Sequence, residues 1–361
     1  MNTRDIYKDN TLVSTLDHHL KWNKARTKFL AMLIQAMFKL QTVNFIKLSQ
    51  GIGGNALPGS KLRRVQRFFA DFALPEDTLT KLLFAMLPNK TGLKLCLDRT
   101  NWKFGKTNIN ILMLSVAHKG VSFPLMWKLL PKRGNSNCAE RKELFDKYID
   151  LFGIKSITSL IADREFIGES WFDELIRHKV RFYIRLRENM KVHVPGKGQK
   201  RAFWLFNDLE LNVPRYYHKP VTYRGRYLYL SGSKVLGKKN KLEFVIIASY
   251  LKGGNALKTY RERWQIETMF RAFKSSGFNL EQTHLTDIKR ISKLVAVVCI
   301  AFSWAYKIGI YLDRNVKPIK VKKHGRRAMS YFKYGLNFIA HALLNTISDD
   351  YVKCVKLLSC T

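Results

Sequence analysis

Acidic residues are scarce in this chain. Its 361 residues contain 27 Asp and Glu against 64 Lys and Arg, which gives a formal net charge of +37. This imbalance excludes an ordinary neutral enzyme of small-molecule metabolism, and 46% apolar residues exclude a disordered polycation. A folded polycation needs an anionic partner. Duplex DNA, with one charge per roughly 1.7 Å of axis, is the leading candidate, and an anionic membrane surface is the alternative.

Cysteine and histidine offer no metal-binding pattern. The cysteines are odd in number, scattered and without a CxxC pair: Cys96, Cys138, Cys299, Cys354 and Cys360. We therefore expect reduced thiols, with neither a zinc site nor a disulfide framework. The nine histidines contain no HxxxH pair, so no catalytic histidine is assigned. The first residues, MNTRDIYKDN, lack the apolar segment of a secretory signal, which predicts a cytoplasmic protein.

The apolar run LVAVVCIAFSWAY, residues 294–306, tests the membrane alternative. Its 13 residues fall short of the about 20 that a spanning helix needs. A buried core helix is therefore predicted here, and no membrane partner.

Residues 1–90 are predicted to form a helical DNA-binding domain. Residues 25–40 have apolar positions at helical spacing, Thr42–Asn44 is a predicted break with an N-cap, and 51–60 is a predicted glycine-rich loop. The next predicted helix, 61–74, carries Arg63, Arg64 and Arg67. Two helices separated by a turn, of which the second is basic, are typical of a helix-turn-helix DNA-binding motif. A solvated basic face on a small bundle is the other interpretation, and spacing alone does not separate the two.

Residues 91–186 alternate strand and helix patterns. Strands are predicted at 94–98, 108–118 and 121–130, with a hairpin turn at Lys119–Gly120, and then at 156–163 and 181–186. Helices are predicted at 137–153 and 166–178. The order β-β-β-α-β-α-β is that of a ribonuclease H-like α/β fold, in which the fourth strand lies beside the first.

The remaining residues are divided by composition. Residues 187–252 are predicted to be an inserted β-rich subdomain that includes the strand-like segment RAFWLF. The core is expected to resume over 253–312, with a long helix from 255 to 275 and an apolar helix from 291 to 312. Residues 313–361 are interpreted as a basic linker and a C-terminal helical region.

Two acids end predicted hydrophobic strands. Asp98 follows KLCL and Asp163 follows SITSLIA. Carboxylates that converge at a sheet edge suit two-metal phosphoryl transfer, because two Mg²⁺ ions about 4 Å apart must bind oxygens of one phosphate. Each acid alone is better explained as a strand-end or N-cap residue. A third acid is needed to favour the metal site.

The third acid lies in the segment YRERWQIETMFRAFK. Tyr260, Arg263, Glu267 and Lys274 follow the spacing Y-x2-R-x3-E-x6-K. On one continuous helix their side chains fall within roughly 60° of one another. An ion-paired surface helix is the simpler interpretation, but such pairs contribute only a few tenths of a kcal/mol and do not explain Tyr260 or Lys274. Trp264 is expected to pack elsewhere.

The sequence resembles the bacterial DDE transposases of insertion-sequence family 4, the group defined by the YREK signature. The resemblance rests on Asp98 in LDRTNW, on Asp163 in ADREF and on the YREK set. The helix RWQIETMFRAFKSSGF and the following EQTHLTD are also similar to this family. By layout the resemblance extends over most of residues 60–345.

This resemblance implies a catalytic mechanism. Asp98, Asp163 and Glu267 would hold two Mg²⁺ or Mn²⁺ ions. One ion would activate water to nick the strand at the transposon end. The freed 3′-hydroxyl would then attack the opposite strand, giving a hairpin, or target DNA, with no covalent protein–DNA intermediate.

The resemblance also implies DNA contacts and partners. Tyr260, Arg263 and Lys274 would hold the phosphate of the terminal nucleotide, and Arg164 would touch the backbone. Relatives use a tryptophan of the insertion to stack a flipped base. Trp204 is the candidate here, with a core position as the more frequent role of such a residue. The expected partners are double-stranded transposon ends and target DNA. The resemblance also implies a homodimer in the synaptic complex and a location at the bacterial nucleoid.

Two other classes remain open. In a non-catalytic DNA-binding protein the acids would be structural. A simple ribonuclease H-like nuclease would share the acids and have no need of Tyr260, Arg263 and Lys274.

Overall fold

The computed structural model describes residues 3–237, 240–253, 255–323, 325–345 and 348–358. The chain divides into two compact units of a mixed α/β protein. We call them the helical unit (Met1–Pro88, Asn101–Ile109 and Met269–Thr361) and the sheet unit (Asn89–Thr100 and Asn110–Thr268). The domain boundaries given above are a finer division and stay predictions.

The N-terminal part of the helical unit is helical, as its apolar spacing predicts. Its helices are α1 (Thr3–Leu20), α2 (Lys24–Leu40), α3 (Phe45–Gly51), α4 (Pro58–Asp71) and α5 (Glu76–Ala85). The side chain of Asn44 accepts two amide hydrogen bonds at the start of α3, which confirms the predicted break and cap. The loop predicted for 51–60 is shorter, because Pro58 already stands in the first turn of α4, where its missing N–H breaks no helical bond.

The C-terminal part of the helical unit holds α10 (Ile288–Asn315), α11 (Tyr331–Leu344) and α12 (Ser348–Leu358). Helix α10 is one continuous helix that extends past the boundary predicted at residue 312. It is long and apolar enough to cross a membrane, and 89% of its most apolar window is buried inside the protein. The structure therefore gives the segment 294–306 the buried position predicted for a core helix.

Two glycines let α10 and α11 pack closely. A Cβ atom on Gly335 would lie 1.8 Å from the carbonyl oxygen of Ala305, and one on Gly309 would lie 1.8 Å from that of Tyr331. No side chain can move to relieve either clash, because both neighbours are backbone atoms. The two helices touch backbone to backbone at these positions.

The strands form one mixed sheet of 11 strands among the described residues. They are β1 (Leu93–Phe104), β2 (Thr107–His118), β3 (Val121–Leu129), β4 (Ile157–Ala162), β5 (Phe182–Leu186), β6 (Lys191–Val194), β7 (Gly198–Arg201), β8 (Pro214–Tyr216), β9 (Val221–Tyr223), β10 (Arg226–Leu236) and β11 (Leu242–Ser249). Their spatial order is β3-β2-β1-β4-β5-β11-β10-β9-β6-β7, and β8 pairs with β10.

Strand β4 pairs in parallel with β1, with Leu97 opposite Ala162, so the predicted neighbourhood of the fourth and first strands is confirmed. Strands β2 and β3 form the predicted hairpin, and Lys119–Gly120 supplies its turn with both residues at positive φ. This pairing brings the end of β4 beside the middle of β1.

Two helices alternate with the central strands of this unit: α6 (Cys138–Phe152) lies between β3 and β4 in the chain, and α7 (Glu169–Arg177) lies between β4 and β5. Gly153 ends α6 at φ 73°, at the end predicted for the helix 137–153. Asn137 and Glu140 form a reciprocal capping box at its start, which the sequence analysis did not predict. Helix α7 begins three residues later than predicted, because a separate 3₁₀ turn occupies Arg164–Phe166.

Strand β1 does not end at Asp98 as predicted; it continues to Phe104. The cause is visible in the burial pattern. Thr100 and Trp102 are buried while Asn101 and Lys103 are exposed, which is the alternation of a strand. Asp98 is therefore a mid-strand residue.

The segment 187–252 differs from the predicted subdomain in two respects. Strand β11 pairs antiparallel with β5, and β10 pairs with β11, so these strands extend the central sheet. The segment RAFWLF is not a strand, because Ala202–Phe206 forms a 3₁₀ helix. Its buried residues are Ala202, Leu205 and Phe206, and the spacing of three between the first two fits a 3₁₀ helix and not the alternation of a strand.

The predicted long helix 255–275 is two helices, α8 (Ala256–Arg261) and α9 (Trp264–Lys274). Between them the amides of Glu262 and Arg263 bond to carbonyls three residues back, on Thr259 and Tyr260. This tight turn interrupts the regular 100° step, so Tyr260 and Glu267 do not share one continuous helix.

Four cysteines carry free thiols, and burial raises the pKa of Cys96, on β1, to about 12. Cys360 lies outside the described residues.

Candidate active site

Asp98 and Asp163 come next to each other at the centre of the sheet unit. They follow Leu97 and Ala162, the last parallel pair between β1 and β4. Each carboxylate accepts the amide of the next residue at 2.7 Å, from Arg99 and Arg164 respectively. Asp163 also caps the 3₁₀ turn that follows, so the simple N-cap role considered for it is real. That role uses one oxygen of the carboxylate and leaves the other available.

Arg263 connects the first acid to the third. Its Nη1 donates to Oδ2 of Asp98 at 3.2 Å, and its Nη2 donates to Oε1 of Glu267 at 2.7 Å. The hydroxyl of Tyr260 donates to Oδ1 of Asp163 at 3.2 Å. Five residues that the sequence singled out thus meet in the sheet unit. We call Asp98, Asp163 and Glu267 the acid cluster.

Burial changes the acid–base properties of this site. It raises the pKa of Asp98 to about 7, although the amide of Arg99 and the charge of Arg263 act in the opposite direction. Burial likewise raises the pKa of Tyr260 to about 12, so the phenol stays a neutral hydrogen-bond donor. Burial alone would lower the pKa of Arg263, but Tyr260 and the neighbouring acids raise it above its usual value. The guanidinium is a permanent cation here.

A second ion pair joins the two acid-bearing strands, and sequence analysis missed it. Arg99 donates from Nε and Nη2 to the two oxygens of Glu165, both at 3.1 Å. Its Nη1 donates to Asn110 at 2.9 Å, and Nη2 also reaches Asn135 at 3.2 Å. Arg99 follows Asp98, and Glu165 follows Asp163 by two residues. The only sequence signal was this adjacency, which gives no indication that the two side chains meet.

Lys274 belongs to the helical unit. Its Nζ donates to the carbonyl of Asn101 at 3.1 Å, lies 2.8 Å from a carboxylate oxygen of Glu281 and sits 5.6 Å from the ring centroid of Trp102. Its assignment to a DNA phosphate stays a prediction.

The other predicted DNA contacts lie on the surface. Arg164 is exposed beside Asp163, and Arg63, Arg64 and Arg67 are exposed on α4. The guanidinium of Arg64 stacks on Phe29 at 4.6 Å from the ring centroid. Exposed arginines fit both a DNA reader and a solvated basic face, so both interpretations of α4 stand.

Two tryptophans correct the sequence interpretation. Trp204 is 41% exposed, so its expected core position is wrong. Lys197 and Lys200 place their ammonium groups 4.9 and 5.2 Å from its ring centroid. Trp264, expected to pack elsewhere, is 57% exposed and lines a cavity of about 250 Å³ with Tyr260 and Arg263.

In the described part of the chain, three residues outside the acid cluster bring possible metal-ligand atoms close together. Atoms of Asp146, Glu174 and His178 lie within 4.8 Å of one another. Glu174 is already paired with Arg177, with His178 at 2.9 Å and with Lys142 at 3.2 Å. The central carboxylate of this group is therefore already engaged by neighbouring side chains. The oxygens of the acid cluster are more widely spread, with Arg263 lying between Asp98 and Glu267.

A mixed sheet with converging acids in a strongly basic chain is typical of enzymes that process nucleic acids. Residues 91–304 match the family described as "Transposase DDE domain". The chain belongs to this family, and the match includes Asp98, Asp163 and Glu267. Transposases of this family act on DNA and use divalent metals. No curated protein matches the chain.

Proposed function

We propose that the chain is a transposase of insertion-sequence family 4 that carries the YREK signature. It binds the ends of its element, cleaves them by two-metal phosphoryl transfer and joins the 3′-ends to target DNA. The contact of Arg263 with both Asp98 and Glu267 supports this proposal most directly, since it joins the signature segment to the acids of the sheet.

The proposed catalytic core is ribonuclease H-like. Its support is the strand order β3-β2-β1-β4-β5, with β1, β4 and β5 parallel and the hairpin strands β2 and β3 on one side. Strands β10 and β11 then extend this core within the proposed insertion. Two of the three acids, Asp98 and Asp163, lie on or directly after its paired central strands β1 and β4.

The acid cluster fits a divalent cation by its chemistry. Its donors are carboxylate oxygens, which suit Mg²⁺ or Mn²⁺. The raised pKa of Asp98 also means that a buried carboxylate here needs more positive charge than Arg263 provides. Asp98, Asp163 and Glu267 would hold two such ions, which supply an activated water and stabilise charge on the scissile phosphate.

Tyr260 and Arg263 act on the DNA directly in this proposal. Tyr260 offers a neutral hydroxyl, and Arg263 offers a permanent cation with two donor groups, a geometry suited to phosphate oxygens. Arg164 is exposed beside Asp163 and can reach the adjacent backbone. Lys274 adds a point charge on the same helix as Glu267.

The proposed assembly is a homodimer on DNA in the bacterial cytoplasm, because two transposon ends must be brought together. The helical region 1–90 would hold the ends, with Arg63, Arg64 and Arg67 toward the backbone. Trp204, exposed between two lysines, would stack on a base displaced at the cleavage site.

Cleavage of an end-containing duplex tests the proposal. We expect nicking in Mg²⁺ by the native chain and no nicking by Glu267→Gln. Glu143→Gln, which removes a carboxylate exposed on α6, is the matched control and should cut normally. Equal cutting by Glu267→Gln would contradict the catalytic assignment, and binding without cutting by the native chain would favour a DNA-binding protein.

Joining separates a transposase from a simple nuclease. The cut duplex carries a free 3′-hydroxyl, and a transposase transfers it to a second duplex. A nuclease accumulates cut ends and forms no joined product.

A further inference from the structure

Part of the sheet unit is built from four neighbouring strands in the order β10-β9-β6-β7. In this sheet Tyr227 stands opposite Thr222, Thr222 opposite His193, and His193 opposite Gln199. Residues paired across neighbouring strands point to the same face. These four residues therefore form one row that crosses all four strands.

The row lies on the solvent side. Tyr227 is 70% exposed, and His193 and Gln199 are exposed, whereas Val192 and Val194, which alternate with His193, are buried. Two cations extend this face, since Lys191 lies two residues from His193 and pairs with Arg201 on β7. We call this surface the outer face, defined by Lys191, His193, Gln199, Arg201, Thr222 and Tyr227.

A cavity of about 700 Å³ opens on the outer face. Its lining includes Lys191, His193 and Gln199, together with Arg187 and Arg224 from the flanking segments. None of the described residues that line it carries a carboxylate. The cavity is concave, and the charged side chains that line it are all cationic.

The cations of the outer face, Lys191 and Arg201, and the flanking Arg187 are not neutralised within the described residues. Neighbouring arginines of the same unit are ion-paired: Arg226 with Asp173 at 2.6 Å, Arg215 with Asp208 at 2.6 Å, and Arg224 with Glu169. Arg187, Lys191 and Arg201 are exposed and have no ion pair there. Asp173, Asp208 and Glu169 thus pair with other arginines and leave these three cations unpaired in the described part of the chain.

We propose that the outer face binds the phosphate backbone of a DNA segment separate from the one held at the acid cluster. Neighbouring strands lie about 4.8 Å apart, so the row across four strands spans about 14 Å. This length matches about four phosphates at 3.4 Å of axis each, which favours a polymer over a single small anion. None of the outer-face residues belongs to the acid cluster.

The inference rests on the proposed function for the identity of DNA as the polymer. The outer face would recognise the charge of the DNA backbone and not its sequence, because cations and hydroxyls contact phosphates and make no contact with base edges. The segment comes either from the transposon end or from target DNA, and both present the same backbone.

A charge-removal variant tests the outer face. In the full chain, Arg187→Gln, Lys191→Gln and Arg201→Gln are combined, and binding to a short duplex of arbitrary sequence is measured across salt concentrations. We expect at least a tenfold loss of affinity at low salt and a salt dependence shallower by about 3 in log–log slope. The control combines Lys128→Gln, Lys142→Gln and Arg177→Gln, three cations that are ion-paired on α6, α7 and β3. It removes the same charge and should retain most of the affinity.

Two activity assays identify the DNA segment. If the outer face holds target DNA, the variant nicks transposon ends normally and loses joining; if it holds the ends, nicking and joining fall together. An affinity and salt slope equal to those of the control would overturn the inference. The two proposals can fail separately. If the native chain cuts no DNA but the outer-face variant still loses affinity, the result supports DNA binding by the outer face and contradicts the catalytic proposal. Thermal unfolding of both variants checks that each is folded.

Discussion

Arg99 and Glu165 tie strand β1, beside Asp98, to the turn that follows β4, beside Asp163. Two nitrogens of the guanidinium each lie 3.1 Å from one carboxylate oxygen. The pair is largely shielded from water, with the Arg99 side chain 12% and the Glu165 side chain 21% exposed. This ion pair holds the segments that carry Asp98 and Asp163 together, although neither of its members belongs to the acid cluster.

Arg99→Gln should therefore disturb the acid cluster indirectly. We expect a loss of about 2 kcal/mol in the free energy of unfolding, since Glu165 keeps a shielded charge without its cation. DNA cleavage should need several times more Mg²⁺ and recover in part at saturating Mg²⁺. Urea denaturation and a Mg²⁺ titration of cleavage measure the two effects. Unchanged Mg²⁺ demand would show that Arg99 only stabilises the fold.

Arg263→Gln removes the cation between Asp98 and Glu267. In chelator the variant should unfold at a lower temperature than the native chain, because two partly buried carboxylates lose their hydrogen-bonded partner. Mg²⁺ should raise the unfolding temperature of the variant more than that of the native chain. Arg263→Lys should behave similarly, because one ammonium group cannot replace the guanidinium fork. Equal responses to Mg²⁺ in all three proteins would contradict a shared cation site.

Asp98 should make stability depend on pH. Its pKa is about 7 in the folded chain against 3.8 in the unfolded chain, so the folded state binds the proton more tightly. The favourable contribution to the free energy of unfolding is complete below the unfolded pKa and is lost as pH rises from about 4 to 7, in total about 4 kcal/mol. Asp98→Asn should remove this dependence. Urea denaturation in chelator at pH 5 and pH 8 measures it, and an equal pH dependence in both proteins would contradict the buried carboxylate.

Gly335→Ala should destabilise the helical unit by several kcal/mol, because its Cβ would overlap the carbonyl of Ala305. Gly59→Ala is the matched control, since Gly59 lies in the first turn of α4 and nothing stands within 4 Å of the added atom. Thermal unfolding compares the two. A similar unfolding temperature for both would mean that α10 and α11 do not pack through their backbones.

Local patterns predicted the elements whose signals are local. The hairpin turn at Lys119–Gly120 and the cap at Asn44 follow from a few neighbouring residues, and the strands of the hairpin follow from their apolar segments. The break at Arg263 was hidden, because the apolar spacing continues across it. The pairing of β11 with β5 was equally hidden, since it depends on a partner far along the chain.

The candidate site divides in the same way. Asp163 at a strand end, and the spacing of Tyr260, Arg263 and Glu267, could be seen in the sequence. The Arg99–Glu165 pair could not, because 66 positions separate its members and either charge alone suits a solvated surface.

Binding of Mn²⁺ in the presence of an end-containing duplex, followed together with cleavage, tests most directly whether Asp98, Asp163 and Glu267 share divalent ions. The account predicts two ions bound by the native chain, and fewer ions with no cleavage in Asp98→Asn, Asp163→Asn and Glu267→Gln, while Glu143→Gln behaves as the native chain. Variants that bind the same number of ions and cut at the native rate would contradict it.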